Sequence, residues 1–189
     1  MNRRSLMLAL PFAACATPPQ PQPADIAFIA PRTAFRIPPP TLLGQTVAVA
    51  QTVQADYAGL GMVFEAQIAI TPEGLDLAVL DTLGRRALSI AWHGHDPEAQ
   101  AAPWLPDGVT AANMLADIAL LYWPEALLTP ALLAAGARLE ATSNHRSILA
   151  EGREVIRIEY RQAGWGGQAL LRNLAFGYSL TVNSVLLTP

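Results

Sequence analysis

Length, composition and charge set the first limits on what this chain can be. It has 189 residues, of which 52% are hydrophobic and 14% are charged, whereas an average globular protein has roughly 25% charged residues. A single domain with a large core is therefore expected, and the low charge indicates either a weakly charged surface or apolar side chains that line a cavity. The formal charge of −3 argues against a nucleic-acid partner, because phosphate binding requires clustered basic side chains.

The N-terminal residues have the order of features that an export signal requires. Positive charges at Arg3 and Arg4 precede a short apolar stretch, which ends in two small residues directly before Cys15. This order of charge, apolar segment and small residues predicts a signal peptide over residues 1–14. The junction resembles a bacterial lipobox, and Cys15 is the only cysteine in the chain, so we predict that it is lipidated rather than disulfide-bonded.

Residues 15–24 join the predicted lipid anchor to the folded domain, which is expected to span residues 25–189 as a single unit. Their high proline content favours an extended tether over packed structure. By analogy with bacterial lipoproteins, Ala16 in place of an aspartate directly after the cysteine favours the outer membrane, on its periplasmic face. No apolar run approaches the roughly 20 residues that a membrane-spanning helix needs, so the lipid anchor is the predicted membrane contact.

Alternation of apolar and polar residues begins at Gln45 and predicts an antiparallel meander with one apolar face. The predicted strands cover residues 47–53, 62–70, 75–79 and 88–92, with turns at residues 72–74 and at Gly84. Before the meander, prolines make residues 26–43 irregular, apart from a short edge strand expected around residues 25–30. The polar segment 93–108 contains three prolines and is predicted to be a loop.

Two helices and a second group of strands follow. Thr110 is the predicted N-cap of a helix over residues 110–123, which carries an apolar stripe and ends before Pro124. A second helix is predicted over residues 130–135, with Thr129 as its N-cap. Strands are then expected at residues 138–142, 146–150, 155–161, 170–174 and 178–187. The helical pair thus separates two groups of strands.

This order of elements indicates an α+β domain. An antiparallel sheet with this many strands tends to curl into a barrel or half-barrel, because a twisted sheet of such width does not stay flat. The two short helices stand between the two groups of strands, where they can plug or cover the concave face. We therefore predict an antiparallel half-open β-barrel with two lid or plug helices inserted between the strand halves.

Residues suited to catalysis are few. His93, His95 and Asp96 form the most enzyme-like group, since imidazole and carboxylate are metal ligands, but their spacing fits no strong metal-binding signature. We interpret this segment as a polar loop at a strand end, and we predict no catalytic residue, no metal and no cofactor. The G-x-S-x-G motif of serine hydrolases is also missing from the sequence.

The apolar face of the first predicted helix is compatible with two interpretations, and the sequence leaves both open. Met114, Leu115 and Ile118 can pack in a filled core or line a cavity, because both environments select the same residue types. If the domain encloses a cavity, its wall is predicted to consist of inward-facing strand and helix residues. These wall candidates are Met62, Phe64, Ile68, Leu88, Ile90, Trp92, Ile118, Tyr122 and Trp123.

Two short motifs resemble those of an uncharacterised bacterial lipoprotein family. Residues 117–124 (DIALLYWP) resemble its D-x-x-L-x-Y-W-P stretch, and residues 173–180 (NLAFGYSL) resemble its closing N-x-x-x-G-Y-x-L strand. This family, a domain of unknown function, occurs near aryl-polyene pigment biosynthesis genes. The resemblance implies a fold like that of the LolA and LolB lipoprotein-handling proteins, which are half-open β-barrels with lid helices and an apolar cavity. In LolB an exposed apolar loop residue assists lipid transfer, and Leu60 is the candidate counterpart here.

Composition and resemblance together predict a lipoprotein that binds or transfers an acyl or polyene-type lipid, or a lipoprotein, in an apolar cavity. Its expected partners are the outer membrane through the lipid anchor, the apolar ligand, and a periplasmic carrier protein. Two alternatives stay open. One is a non-enzymatic adaptor or assembly lipoprotein with a packed interior, and the other is a periplasmic hydrolase that uses His93 and His95.

Overall fold

A ten-stranded antiparallel sheet forms most of the fold. The computed structural model describes residues 23–57, 59–106 and 108–187. The predicted signal peptide 1–14 and Cys15 lie outside the described residues, as does most of the predicted tether. The described residues include nearly all of the predicted domain.

Two short strands precede the sheet and form a separate hairpin. They are β1 (Ile26–Ala30) and β2 (Thr33–Arg36), and a short 3-10 helix follows at Pro40–Leu43. β1 confirms the strand predicted near residues 25–30, and it pairs with β2 alone instead of joining the main sheet. Its residues Ala27 and Ile29 are buried in the common core instead.

The sheet consists of two meanders that join at its centre. The first contains β3 (Val47–Tyr57), β4 (Leu60–Thr71), β5 (Gly74–Asp81), β6 (Arg86–His93) and β7 (Glu98–Ala101). The second contains β8 (Ala137–Ala141), β9 (His145–Ala150), β10 (Arg153–Tyr160), β11 (Gly167–Asn173) and β12 (Tyr178–Leu186). The strand order is β7-β6-β5-β4-β3-β12-β11-β10-β9-β8, so the pairing of β3 with β12 joins the two halves.

The sheet stays open, with β7 at one edge and β8 at the other. These two strands share no ladder in the part of the chain that the structure describes, so the sheet is curled but not closed into a barrel. The helices α1 (Ala111–Tyr122) and α2 (Glu125–Ala134) connect the two edges. α1 packs against β1 and β11, and α2 packs against β2 and β8. The predicted α+β class and the antiparallel sheet with two inserted helices are therefore confirmed.

Alternation along the strands turns one face of the sheet towards the core. On β4, Phe64 and Ile68 are buried, whereas Glu65 and Gln67 between them are exposed. The buried hydrophobic residues form one cluster that unites this inward face with both helices and with the β1–β2 hairpin. Burial of one face also fixes the strand register, since a slip of one residue would expose every inward side chain.

Helix α1 starts where the sequence predicts. The Thr110 hydroxyl accepts a hydrogen bond from the Asn113 backbone N–H at 3.2 Å, which confirms the predicted N-cap. Trp123 ends the helix and Pro124 follows it, as expected. Among the described residues, no helix has the length and the hydropathy that crossing a membrane would require.

The predicted start of α2 is wrong, and the predicted loop 93–108 contains a strand. α2 begins at Glu125 with Pro124 as its N-cap, not at residue 130 after Thr129. Pro130 therefore lies inside the helix, which tolerates it because this position is exposed and water can reach the carbonyl that loses its partner. β7 lies within the predicted loop 93–108. It alternates polar residues with alanines, but all four of its residues are exposed, so no buried apolar face marks it.

Candidate functional site

A cavity of about 770 Å³ lies between α1 and the inward face of the sheet. Side chains of β3, β4, β5 and β12 form one side of its wall, and α1 with the segment before it forms the other. Ligand pockets in proteins usually have volumes of about 300–1,000 Å³. The cavity is therefore large enough for one elongated small molecule.

Apolar side chains make up most of the cavity wall. Cross-strand pairing places Val53 of β3 opposite Phe64 of β4, and Ala55 opposite Met62. Small side chains at Ala55 and Ala66 leave space between the sheet and α1, because neither reaches far above the sheet surface. The other large apolar wall residues are Leu77, Val79, Val109, Met114, Ile118, Leu121, Leu180 and Val182.

Exposed aromatic residues mark the mouth of the cavity. Phe28, Tyr57 and Phe176 line the cavity and are also exposed to solvent. Leu60 pairs with Tyr57 at the end of the β3–β4 ladder and is 70% exposed. Groups of exposed apolar side chains commonly mark a surface that contacts a ligand, a membrane or another protein.

One carboxylate interrupts the apolar wall on the helix side. Asp117 of α1 accepts a hydrogen bond at Oδ1 from the Tyr178 hydroxyl, at 2.8 Å. The side-chain Nδ2 of Asn173 lies 3.5 Å from the same hydroxyl and donates a hydrogen bond to the Ile29 carbonyl at 3.3 Å. These contacts hold Tyr178 in a position where its hydroxyl points at Asp117.

The two motifs of residues 117–124 and 173–180 meet in this hydrogen-bonded group. Asp117 opens the first motif, whereas Asn173 and Tyr178 belong to the second. Other positions of the first motif serve the fold: the Trp123 indole N–H, for example, donates to a backbone carbonyl at 2.9 Å. The contact between the motifs therefore lies at the cavity, and Asp117 is its charged member.

Burial perturbs the titration of Asp117 and Tyr178. Loss of solvation raises the pKa of Asp117 from 3.8 to about 7, although the hydrogen bond from Tyr178 lowers it. Burial, together with the adjacent carboxylate, raises the pKa of Tyr178, so that its hydroxyl remains a donor. No cationic side chain is found among the described residues of the cavity wall. Asp117 is thus a carboxyl group that gains and loses its proton near neutral pH, and it has no cationic partner on the described cavity wall. Residues with such a perturbed pKa are often functional.

A second polar group, the polar triangle of Gln51, Tyr122 and Ser184, lies beside the cavity. The Gln51 side-chain amide donates to the Tyr122 hydroxyl at 2.8 Å and to the Ser184 hydroxyl at 2.9 Å. The two hydroxyls lie 3.0 Å apart, and the Tyr122 ring stacks on Trp165 with ring centroids separated by 4.4 Å. Burial raises the pKa of Tyr122. The polar triangle attaches the C-terminal end of α1 to the two central strands β3 and β12.

The predicted wall residues divide between the cavity and the filled core. Met62, Phe64 and Ile118 line the cavity, whereas Tyr122 belongs to the polar triangle. The other candidates are buried in the core and stand outside the cavity wall: Ile68, Leu88, Ile90, Trp92 and Trp123. These five side chains therefore do not line this cavity. The cavity lies at the Met62 end of β4, and residues farther along the same face are covered by neighbouring core side chains.

The histidine segment lies away from the cavity wall. His93 Nε2 is 3.0 Å from Asp76 Oδ1, and both side chains are exposed. This hydrogen bond raises the pKa of His93, while His95 is exposed in the turn that follows. Within the described ranges, no three His, Cys, Asp or Glu side chains lie close enough together to hold a metal ion.

Asp117 and Tyr178 are among the cavity residues that the predicted wall leaves out. A signal for Asp117 exists in the sequence, since it is one of few polar residues in an otherwise apolar helix, where a carboxylate is costly to bury. Tyr178 lies in no apolar helix, and the sequence marks it only as a position of the motif at residues 173–180. It lies 61 residues from Asp117, and only the folded sheet brings the two together.

A family profile described as "Protein of unknown function (DUF3261)" matches residues 48–186, from β3 to the end of β12. No curated protein matches the chain. Among solved structures, the crystal structure of a DUF1329 family protein from Desulfovibrio piger is similar over 77% of this chain and 85% of that chain, with 7% sequence identity and a TM-score of 0.40. Because the family match spans well over half of the chain, the protein belongs to the DUF3261 family.

Proposed function

We propose that this protein is a non-enzymatic carrier or acceptor of an apolar ligand, which it holds between α1 and the sheet. The observation that carries the proposal is the apolar cavity of about 770 Å³ with its exposed aromatic mouth. Ligand sites are typically concave and largely apolar, with a few polar groups that orient the ligand. The cavity has this composition, with Asp117 and Gln51 among its polar groups.

Burial of an alkyl chain supplies the binding free energy in this proposal. A chain of about twelve methylene groups gains roughly 10 kcal/mol on full burial, at ~0.8 kcal/mol for each group. Association costs at least about 4 kcal/mol of this gain through lost translational and rotational freedom. The remaining ~6 kcal/mol corresponds to a Kd of tens of micromolar, and longer or more rigid chains bind more tightly.

The proposed ligand is an acyl or polyene-type lipid, or the acyl chains of a lipoprotein. The resemblance to LolA and LolB supports this class, since those half-open barrels also combine a curved sheet, lid helices and an apolar cavity. The predicted signal peptide 1–14 and lipid anchor at Cys15 support a lipoprotein at the periplasmic face of the outer membrane. A periplasmic carrier protein is the proposed source of the ligand, and Leu60 beside Tyr57 is the proposed contact surface for its transfer.

A paired substitution on β4 tests the proposal. Phe64→Asp places a charge on the cavity wall, whereas Val63→Asp places the same charge on the opposite, exposed face of the strand. Titration with a fluorescent apolar probe is expected to show binding to the wild-type chain and to Val63→Asp, and its loss in Phe64→Asp. Unchanged probe binding by a folded Phe64→Asp chain would refute the proposal.

A filling substitution keeps the test valid if Phe64→Asp does not fold. Ala55→Phe adds an apolar ring at a half-buried position on the cavity wall, so it occupies the space without introducing a charge. It is expected to fold and to lose probe affinity. Circular dichroism and a thermal melt separate loss of the fold from loss of binding in both variants.

An adaptor without a small ligand is the second candidate function. It is favoured by a run of exposed apolar residues at the end of β12, where Val185, Leu186 and Leu187 are 65%, 56% and 45% exposed. Such a surface suits a protein partner. Crosslinking in cells to a partner that depends on these residues, together with no uptake of apolar probes, would favour the adaptor over the carrier.

A further inference from the structure

The charges on the cavity wall restrict the head groups that the cavity can accept. Two carboxylates line it, Asp56 next to the mouth and Asp117 on α1, and the other described wall residues are uncharged. Inside an apolar wall, where the effective dielectric constant is low, an anionic head group is repelled by like charge and a cationic head group is attracted. The wall therefore favours a positively charged head group.

Asp117 has a free acceptor atom for such a head group. Its Oδ1 accepts the hydrogen bond from Tyr178 at 2.8 Å, and no donor within the described residues reaches its Oδ2. An ionised carboxylate can accept several hydrogen bonds, so Oδ2 is available to a ligand. Burial raises the pKa of Asp117 to about 7, and a cation beside the carboxylate would stabilise its ionised form.

The start of α1 also lies on the cavity wall, and a helix N-terminus attracts anions. The Thr110 hydroxyl already accepts a hydrogen bond from the Asn113 backbone N–H, however, so this amide is not free to bind a ligand. The Asp117 carboxylate stands about two helical turns farther along the same helix, where it opposes an anion. When ionised, Asp117 carries a full negative charge, against roughly half a positive charge at a helix N-terminus, so the carboxylate outweighs the helix end.

We propose that the cavity selects amphiphiles whose head group is a hydrogen-bond-donating cation, such as a protonated amine, and that Asp117 binds this head group. The inference rests on the proposed carrier function and narrows its ligand class, because a free fatty acid has an anionic head group. Tyr178 is a positioning residue, since its hydroxyl holds Oδ1 of Asp117 and leaves Oδ2 for the ligand.

The test compares three probes with alkyl chains of equal length: a primary alkylamine, an alkanol and a fatty acid. Their binding to the full chain is measured at neutral pH by displacement of a fluorescent apolar probe. The amine is expected to bind about tenfold more tightly than the alkanol, as a charge-assisted hydrogen bond would allow. Asp117→Asn is expected to reduce amine affinity to that of the alkanol and to leave alkanol affinity within about threefold.

Two further variants separate head-group binding from changes in the fold. Glu65→Gln removes an exposed carboxylate from the opposite face of the sheet and should leave all three affinities unchanged. Tyr178→Phe removes only the positioning hydroxyl, so it should weaken amine binding and spare alkanol binding.

The outcomes distinguish this inference from the proposed function. Fatty-acid binding that equals or exceeds amine binding, and that persists in Asp117→Asn, would overturn the head-group assignment while the carrier function stands. Failure of all three probes to bind the wild-type chain would overturn both.

Discussion

Replacement of Asp117 by asparagine is expected to stabilise the fold at neutral and alkaline pH but not in acid. The pKa of Asp117 rises from 3.8 to about 7 on burial, so the folded state holds this proton more tightly than the unfolded state. At pH values between these two pKa values, Asp117 is ionised in the unfolded chain but protonated in the folded chain. The free energy of unfolding of the wild-type chain therefore falls as the pH rises. Below this pH range Asp117 is protonated in both states. Above this range it is ionised in both states, and the full cost of the buried charge is present.

The size of the effect follows from the shift in pKa. A rise from 3.8 to about 7 corresponds to roughly 4 kcal/mol, at ~1.36 kcal/mol for each pKa unit. Asp117 is only half-buried, because it lies on the cavity wall, and solvent that enters the cavity screens part of this energy. We therefore expect about half of the full value, ~2 kcal/mol. Asparagine can still accept the hydrogen bond from Tyr178, so the substitution removes mainly the charge.

Urea denaturation of the ligand-free chain, followed by tryptophan fluorescence, measures this difference. At about pH 4 the variant and the wild type should have nearly equal free energies of unfolding, and at about pH 8 the variant should be more stable by ~2 kcal/mol. Glu65→Gln is the control, since an exposed carboxylate should give a small difference at both pH values. A difference between Asp117→Asn and the wild type that does not change with pH would refute the reasoning.

Two further predictions concern the stability of the fold, measured by urea denaturation. Tyr122→Phe removes a hydroxyl from the polar triangle and should lower the free energy of unfolding by about 1–2 kcal/mol; a variant as stable as the wild type would show that these hydrogen bonds contribute nothing. In Gly74→Ala the added Cβ would lie 2.1 Å from the Trp92 carbonyl oxygen, so a loss of more than about 2 kcal/mol is expected. Gly61→Ala, where no atom lies within 4 Å of the added Cβ, should be neutral, and equal stability of the two glycine variants would contradict the expected clash.

Local features of the fold could be predicted because they depend on neighbouring residues. The N-cap of α1 joins Thr110 to a backbone amide three residues away. The alternation of apolar and polar residues along each strand follows from burial of one face of the sheet. The start of α2 was harder to predict, because a proline usually marks the first turn of a helix. Pro130 instead occupies an exposed position in the interior of the helix. β7 has four exposed residues and no buried face, so only its pairing with β6 identifies it.

The cavity could not be predicted because its wall and the filled core use the same residue types. Phe64 and Ile68 lie on the same face of β4 and both are buried, yet only Phe64 lines the cavity. The position of α1 relative to the sheet separates the two environments, and that position depends on contacts between distant parts of the chain. The hydrogen bond between Asp117 and Tyr178 could not be predicted for the same reason, because it joins residues 61 positions apart in the sequence.

Native mass spectrometry of the full chain, combined with lipid extraction, tests most directly whether the cavity binds an apolar ligand. The proposed function predicts one apolar molecule per chain, either co-purified or taken up from added alkylamine, that is lost in Phe64→Asp and retained in Val63→Asp. A mass that corresponds to the protein alone, unchanged by any added apolar ligand, would contradict it.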